Sequence, residues 1–206
     1  MKQKHFIDSH KGVTALFIVL LMAYYDQWHN PTAWIYLALH GAYGFLWVLK
    51  SHLFPDGTWE QPTNLGFGLV IWGGLSLYWA APWLLMAGGV RAPAPYLAMC
   101  IALYSFGLFL HFTSDMQKYI TLQLQPGRLI SGGLFAFSRN INYFGELLIY
   151  AGFGLLAMHW LPVVILMSWV SLVWLPRMLK KDRSLARYPE FASYRKRTKL
   201  FIPYVL

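Results

Sequence analysis

Long apolar runs, separated by short polar stretches, dominate the pattern of this chain. A helix needs about 20 apolar residues to cross a bilayer, and most of these runs approach or exceed that length. The pattern predicts six membrane-spanning helices, at residues 12–28, 32–50, 65–87, 96–124, 143–159 and from the turn at 160–162 to about 179. We therefore expect an all-α, polytopic integral membrane protein with a basic, helical and cytoplasmic C-terminal tail from Lys180 onward. Within the third span, Gly73 and Gly74 would permit close helix approach.

Composition agrees with this pattern. Of the 206 residues, 57% are apolar and 12% charged, which is typical of membrane proteins rather than soluble globular ones. One domain, residues 1–206, is the simplest division. The single cysteine, Cys100, lies in an apolar run and excludes a disulfide framework.

The net charge of +9 could suggest a nucleic-acid partner, but its distribution favours membrane orientation. With the N-terminus inside and six spans, all of the 17 lysines and arginines except Arg91 lie on the inner side, as the positive-inside rule requires. We therefore expect both termini to be cytoplasmic, membrane lipids to be partners and nucleic acid not to be one. The compact loops and small size favour a bacterial inner membrane over the endoplasmic reticulum. The oligomeric state is left open.

The densest polar stretch runs from Arg139 to Glu146, between apolar segments. Polar groups facing hydrocarbon would cost several kcal/mol each, so these side chains should line a wet cavity or a ligand site. The Arg139 guanidinium suits phosphate or carboxylate, and Lys118 and Arg128 offer further positive charge. The simpler alternative is that Arg139 reaches lipid phosphate while Asn140 and Asn142 cap the helix. Glu146 lies too deep for a cap and argues for the ligand site.

Two helix faces carry further candidate residues. His111, Asp115 and Lys118 recur at helical spacing near the end of the fourth span. His111 has only Asp115 as an acidic neighbour there, so we expect no metal site. His40, Tyr43 and Trp47 share one face of the second span.

Further motif residues follow in the C-terminal half of the chain. They are Gly133-Leu134-Phe135, Ser138-Arg139, Asn142-Tyr143-Phe144-Gly145-Glu146, Asp182, Tyr188, Tyr194, Arg197 and Phe201-Ile202-Pro203. Over the region from Ser114 to Pro203, this set resembles the C-terminal domain of the steroid 5-alpha-reductase family. Wider relatives are the sterol C14 and C7 reductases and, more distantly, the isoprenylcysteine carboxyl methyltransferases.

The resemblance implies an NADPH site, because the reductase positions matching Asn142, Tyr143, Gly145 and Glu146 line the cofactor. Together with the cations noted above, the expected cofactor-binding residues are Asp115, Lys118, Arg128, Arg139, Asn140, Asn142, Tyr143, Glu146, Asp182, Tyr194 and Arg197. Residues 96–206 would then form the cofactor-binding core and tail, and residues 1–95 the helices of a substrate slot.

The residue pattern and the resemblance agree on an enzyme of lipid metabolism. We expect NADPH-dependent reduction of a C=C bond in a lipophilic substrate, whether a steroid, sterol, polyprenyl or enoyl lipid. Hydride transfer must be matched by protonation, and a positioned acid contributes ~10²–10⁴-fold. Tyr43 and His40 are the candidate acids, with Tyr104 and Glu60 behind them.

Two departures from the family pattern keep alternatives open. Asn140 and Ile141 stand where many relatives have His-Pro or His-Phe. We also expect no counterpart of the N-terminal helix that carries the catalytic glutamate of the steroid reductases. One alternative is an S-adenosylmethionine-dependent methyltransferase of the isoprenylcysteine type. The other is a non-catalytic lipid- or sterol-binding relative.

Overall fold

The computed structural model describes residues 1–205 and is all-α. Five helices are long and apolar enough to cross a membrane, and a sixth apolar helix is shorter. In chain order the helices are α1 (Gln3–Tyr24), α2 (Pro31–Leu53), α3 (Leu65–Ala87), α4 (Ala94–Leu124), the shorter α5 (Ile141–Ala157), α6 (Trp160–Leu185) and the extramembrane α7 (Phe191–Arg197). Within residues 1–205 the only β-type pairings are two isolated bridges. The predicted all-α, multi-pass membrane fold is thus confirmed.

Helix boundaries differ from the prediction at two places. Helix α1 begins at Gln3 rather than at residue 12, so His10 and Lys11 are helical and buried. The predicted span of residues 12–28 leaves Lys11 just outside the membrane helix. Helix α6 begins at Trp160, not after Pro162, because a proline in the first helical turn removes an N–H that would have no helical partner.

Contacts within the chain define two compact units. Unit 1 comprises Met1–Tyr104 and Tyr150–Ile165, whereas unit 2 comprises Ser105–Ile149 and the chain from Leu166 onward. The division falls near residue 104 rather than at 95, and residues 150–165 return to unit 1.

Glycines allow two close helix contacts in unit 1. A Cβ on Gly44 of α2 would collide with the Lys11 carbonyl oxygen of α1, and one on Gly68 of α3 would collide with the Phe6 ring. Small residues of this kind let membrane helices approach closely. Gly73 does not serve in this way, since nothing within residues 1–205 lies within 4 Å of a Cβ placed there.

Two π-helical turns interrupt the long helices. Leu37–Gly41 lies within α2 and contains His40, while Val170–Trp174 lies within α6 and contains Trp174. Such turns are rare and frequently occur at functional sites. The first turn contains His40, a predicted catalytic residue of unit 1. The second contains Trp174, which lies beside Tyr143, a predicted cofactor residue of unit 2.

Candidate functional site

A buried polar cluster in unit 2 joins His111, Asp115 and Asn142. The Asn142 Nδ2 donates to Asp115 Oδ1 at 3.1 Å, and His111 Nδ1–H donates to the Asn142 carbonyl oxygen at 3.0 Å. The second nitrogen of His111 lies 3.8 Å from Asp115 Oδ2. His111 and Asp115 are 2% and 6% exposed, so burial holds both side chains in place. The structure thus brings together Asp115 and Asn142, both expected to bind the cofactor, and His111, which shares a helix face with Asp115.

Glycines bring the two helices of this cluster into contact. A Cβ on Gly145 of α5 would lie 2.5 Å from the backbone nitrogen of His111. A Cβ on Gly107 of α4 would lie 2.7 Å from the carbonyl oxygen of Gly145. Any larger residue would push the helices apart. The glycine of the Asn-Tyr-Phe-Gly-Glu motif therefore has a packing role: it lets Asn142 reach Asp115.

One atom of the cluster is available to a ligand. Asn142 Oδ1 is buried and has no hydrogen-bond partner within residues 1–205. An unmatched buried acceptor costs about 1–3 kcal/mol, so natural proteins seldom keep one without a reason. A ligand that donates an N–H or O–H to this oxygen would remove the cost.

Three further predicted cofactor residues of unit 2 are partly exposed. Tyr143 and Glu146 extend the motif along α5, and Lys118 lies on α4. The Tyr143 ring lies 5.6 Å from the Trp174 ring of the π-helical turn in α6. An aromatic pair of this kind presents an apolar face beside polar groups.

Arg139 binds the C-terminal segment of the chain. Its Nε donates to both carboxylate oxygens of Asp182 at 3.0 Å, and its NH2 lies 2.9 Å from the same group. Its NH1 donates to the Thr198 carbonyl oxygen at 2.5 Å. Arg139 is only 6% exposed. Arg139 and Asp182, both predicted to bind the cofactor, thus pair with each other, and their contacts are those of an anchor for the tail.

Asn140 and Tyr194 complete the same anchor. Asn140 Nδ2 donates to the Leu200 carbonyl oxygen at 2.8 Å, while Asn140 Oδ1 accepts from Lys181 Nζ at 3.1 Å. The Tyr194 hydroxyl donates to the Phe135 carbonyl oxygen at 2.7 Å. Burial raises the pKa of Tyr194 to about 12, so this donor keeps its proton at any physiological pH. Both side chains were predicted to bind cofactor; their observed partners are all within the chain.

The two remaining predicted cofactor cations are exposed. Arg128 NH1 donates to Gln125 Oε1 at 3.1 Å within its own loop, and Arg197 lies on the surface at the end of α7. Both side chains are exposed to solvent, so both can meet an anionic ligand.

The predicted catalytic residues lie in unit 1 and are buried there. A hydrogen bond of 2.8 Å joins the Tyr36 hydroxyl to His40 Nδ1, and the His40 ring stacks on Phe153 at 4.0 Å. Tyr43 is 1% exposed and meets Tyr150 edge to face at 5.7 Å. His40 and Tyr43 line one common pocket, as their helical spacing predicts.

Lys11, which the apolar pattern did not single out, lies in the same pocket as His40 and Tyr43. Its ammonium lies 4.2 Å above the Tyr43 ring and 4.4 Å from the Trp47 ring, and it donates to the Tyr150 hydroxyl at 3.0 Å. A signal was present: His10, Lys11 and Thr14 form a polar stripe at helical spacing, which predicts a buried polar face if the helix starts early.

The secondary acid candidates have different surroundings. Glu60 forms ion pairs with Lys2 at 2.6 Å and Lys4 at 2.5 Å, as a surface group would. Tyr104 is buried, and its hydroxyl has no hydrogen-bond partner within residues 1–205. Within that range no group of three or more His, Cys, Asp or Glu side chains is suited to a metal ion.

Comparison with protein families gives one match. Residues 75–200 match the model of a family described as a protein of unknown function, DUF1295. This is more than half of the chain. The chain belongs to the DUF1295 family. No curated protein matches it.

The DUF1295 match divides the candidate residues into two groups. All expected cofactor residues, from Asp115 to Arg197, lie inside the matched region. Lys11, His40 and Tyr43 lie outside it. The unit 2 cluster is thus part of the DUF1295 region, whereas most of the unit 1 pocket is contributed by residues that precede it.

Proposed function

We propose that this DUF1295 protein is an NADPH-dependent membrane reductase that reduces a C=C bond in a lipophilic substrate. The observation that carries the proposal is the buried His111–Asp115–Asn142 cluster with its available acceptor, Asn142 Oδ1. The relation of DUF1295 to steroid 5-alpha-reductase-like membrane proteins supports the same reaction class.

The side chains of unit 2 suit a dinucleotide. Asn142 Oδ1 accepts hydrogen bonds and matches the N–H donors of a carboxamide or an adenine amino group. Tyr143 offers a ring face, and Lys118, Arg128 and Arg197 offer cations for phosphates. In this assignment Arg139, Asp182, Asn140 and Tyr194 position the tail that carries Arg197, and their effect on the cofactor is indirect.

When bound, NADPH would supply a hydride to an electron-poor carbon of the substrate. The chain must supply the proton and exclude water. Tyr43 and His40 remain the candidates for the proton, since both are buried in one pocket of unit 1. The hydrogen bond between the Tyr36 hydroxyl and His40 Nδ1 fixes the orientation of the imidazole ring.

The membrane fold and the charge pattern support a proposed localisation. We place both termini on the cytoplasmic side of a bacterial inner membrane, in keeping with the positive-inside count. The substrate then reaches the protein from the lipid phase.

Thermal unfolding of the purified protein tests the proposal. NADPH is expected to raise the melting temperature, because a ligand that binds only the folded state stabilises it, and S-adenosylmethionine is expected to leave it unchanged. An Asn142→Leu variant should lose the NADPH response. An Asn64→Leu variant, which removes an exposed helix cap in unit 1, should keep it.

The other outcomes overturn the proposal in different ways. Protection by S-adenosylmethionine alone would indicate a methyltransferase. Protection by neither compound would indicate a non-catalytic lipid-binding protein. Where NADPH does protect the protein, its consumption in the presence of sterol, polyprenyl or enoyl lipids identifies the substrate.

A further inference from the structure

The pocket of unit 1 that contains the proton candidates His40 and Tyr43 also has donors that the proposed reduction does not use. It is lined by His10, Lys11, Thr14, Tyr43 and Tyr150 together with four other residues. None of the nine is acidic. The lining is therefore rich in hydrogen-bond donors and carries the positive charge of one lysine.

Lys11 is fixed in this pocket by aromatic side chains. Its Nζ lies between 4.2 and 5.4 Å from the ring centroids of Tyr43, Trp47 and Tyr150, and it donates to the Tyr150 hydroxyl. Cation–π contacts hold an ammonium without neutralising it. Gly44 lets α2 approach the backbone of α1 at Lys11 itself, so the position of the ammonium is set by helix packing.

His10 gives an independent sign of a ligand. It is 3% exposed, stacks on Trp79 at 4.6 Å and meets Trp72 edge to face at 5.0 Å. Its Nε2 is buried and has no hydrogen-bond partner within residues 1–205. A buried polar atom of this kind is costly unless a ligand pairs with it. The unmatched nitrogen belongs to the same pocket as the ammonium of Lys11.

We propose that this pocket binds the carboxylate of a fatty acyl lipid, with Lys11 Nζ and His10 Nε2–H as the donors. An ammonium and an imidazole N–H together suit the two oxygens of a carboxylate. Of the substrate classes considered above, only the enoyl lipids, in their free-acid form, carry a carboxyl group. The inference rests on the proposed function for its assignment of the bound lipid as substrate, whereas the binding itself is independent of the cofactor.

Direct binding of palmitate to the full-length protein in nanodiscs, without NADPH, tests the inference. Palmitate is expected to bind, and methyl palmitate to bind at least tenfold more weakly because it lacks the charge. Lys11→Met should weaken palmitate binding at least tenfold. The matched control is Lys50→Met, since Lys50 is also buried against Trp47, with its Nζ 4.6 Å from that ring, but lines a different pocket. This variant should bind palmitate as the parent does.

Two further variants show whether a loss of binding is caused by misfolding. Lys11→Arg keeps the charge and should retain binding within a few fold, while His10→Phe keeps the ring packing and should weaken binding at least tenfold. Equal binding of the ester and the acid, or unchanged binding by Lys11→Met or His10→Phe, overturns the inference. NADPH protection measured on the same samples reports separately on the proposed reductase, so failure of one is distinguishable from failure of the other.

Discussion

The Arg139–Asp182 ion pair connects the residues just before α5 to the last turns of α6, within unit 2. Both side chains are largely buried, at 6% and 13% exposure, and Arg139 also donates to the Thr198 carbonyl oxygen. Removing one member of such a pair leaves the other charge buried and typically costs 3–5 kcal/mol. The main role of Arg139 is therefore to hold residues 191–203 in place.

We predict that Arg139→Ala lowers the stability of the protein by about 3–5 kcal/mol. Chemical unfolding, with limited trypsin digestion of the tail, measures the change. Arg197→Ala removes an exposed arginine of the same tail and should shift stability by no more than ~0.5 kcal/mol. An Arg139→Ala protein as stable and as trypsin-resistant as the parent would refute the anchoring role.

Substitution of Glu146 distinguishes a role in stability from a role in catalysis or cofactor binding. It lies about one turn into α5, and a carboxylate in a membrane helix costs at least ~2.5 kcal/mol relative to an apolar residue. We predict that Glu146→Gln keeps the melting temperature but lowers turnover at least tenfold, and that Glu146→Leu abolishes NADPH binding. Glu190→Gln, at an exposed position just before α7, is the control for both readouts. A Glu146→Leu protein that is more stable and fully active would remove this residue from the site.

At the scale of elements, glycines decide which helices touch. Gly145 and Gly107 join α4 and α5 in unit 2, whereas Gly73 faces open space. We predict that Gly145→Ala destabilises the protein by about 1–3 kcal/mol through overpacking and weakens NADPH binding. Gly73→Ala should stabilise it by up to ~1 kcal/mol, because alanine is the better helix former. Urea unfolding of the two variants gives the comparison, and equal stabilities would show that the helices separate without cost.

The start of α1 is tied to the loop that follows α2 through Glu60. Hydrogen bonds from Lys2 and Lys4 hold the pKa of Glu60 below its usual 4.5. The ion pairs therefore contribute their full stability above pH 4.5, and that contribution is lost as pH falls through the lowered folded-state pKa. We predict that the melting temperatures of the parent and Glu60→Gln differ at neutral pH and converge in acid. A difference that is constant with pH would contradict the assignment.

At the scale of the molecule, the distribution of charge predicts the orientation in the membrane. With Cys100 replaced by alanine, single cysteines at positions 130 and 185 should react only with reagent that reaches the cytoplasm, and one at position 91 should react from outside. The reason is that all lysines and arginines except Arg91 fall on one side of six spans. Labelling of position 130 or 185 from outside, with protection of position 91, would show that the protein has the opposite topology.

The all-α membrane class and the approximate places of all six apolar helices could be predicted from the sequence, because run length and composition depend on local hydrophobicity alone. So could the helical face shared by His40 and Tyr43, since helical spacing is a local property. Residue types at the motif also indicated where polar groups would cluster. These features need no knowledge of what each helix packs against.

Partners across the chain were decided only by tertiary structure. Whether Arg139 faces a ligand or Asp182, and whether Lys11 flanks a helix or lies buried on Tyr43 and Trp47, depends on contacts between residues far apart in sequence. The same applies to the glycines: Gly73 and Gly145 look alike as residues, but only Gly145 meets another helix. A local pattern determines that a side chain is polar and on which helix face it lies; the packing of the helices determines which atom it meets.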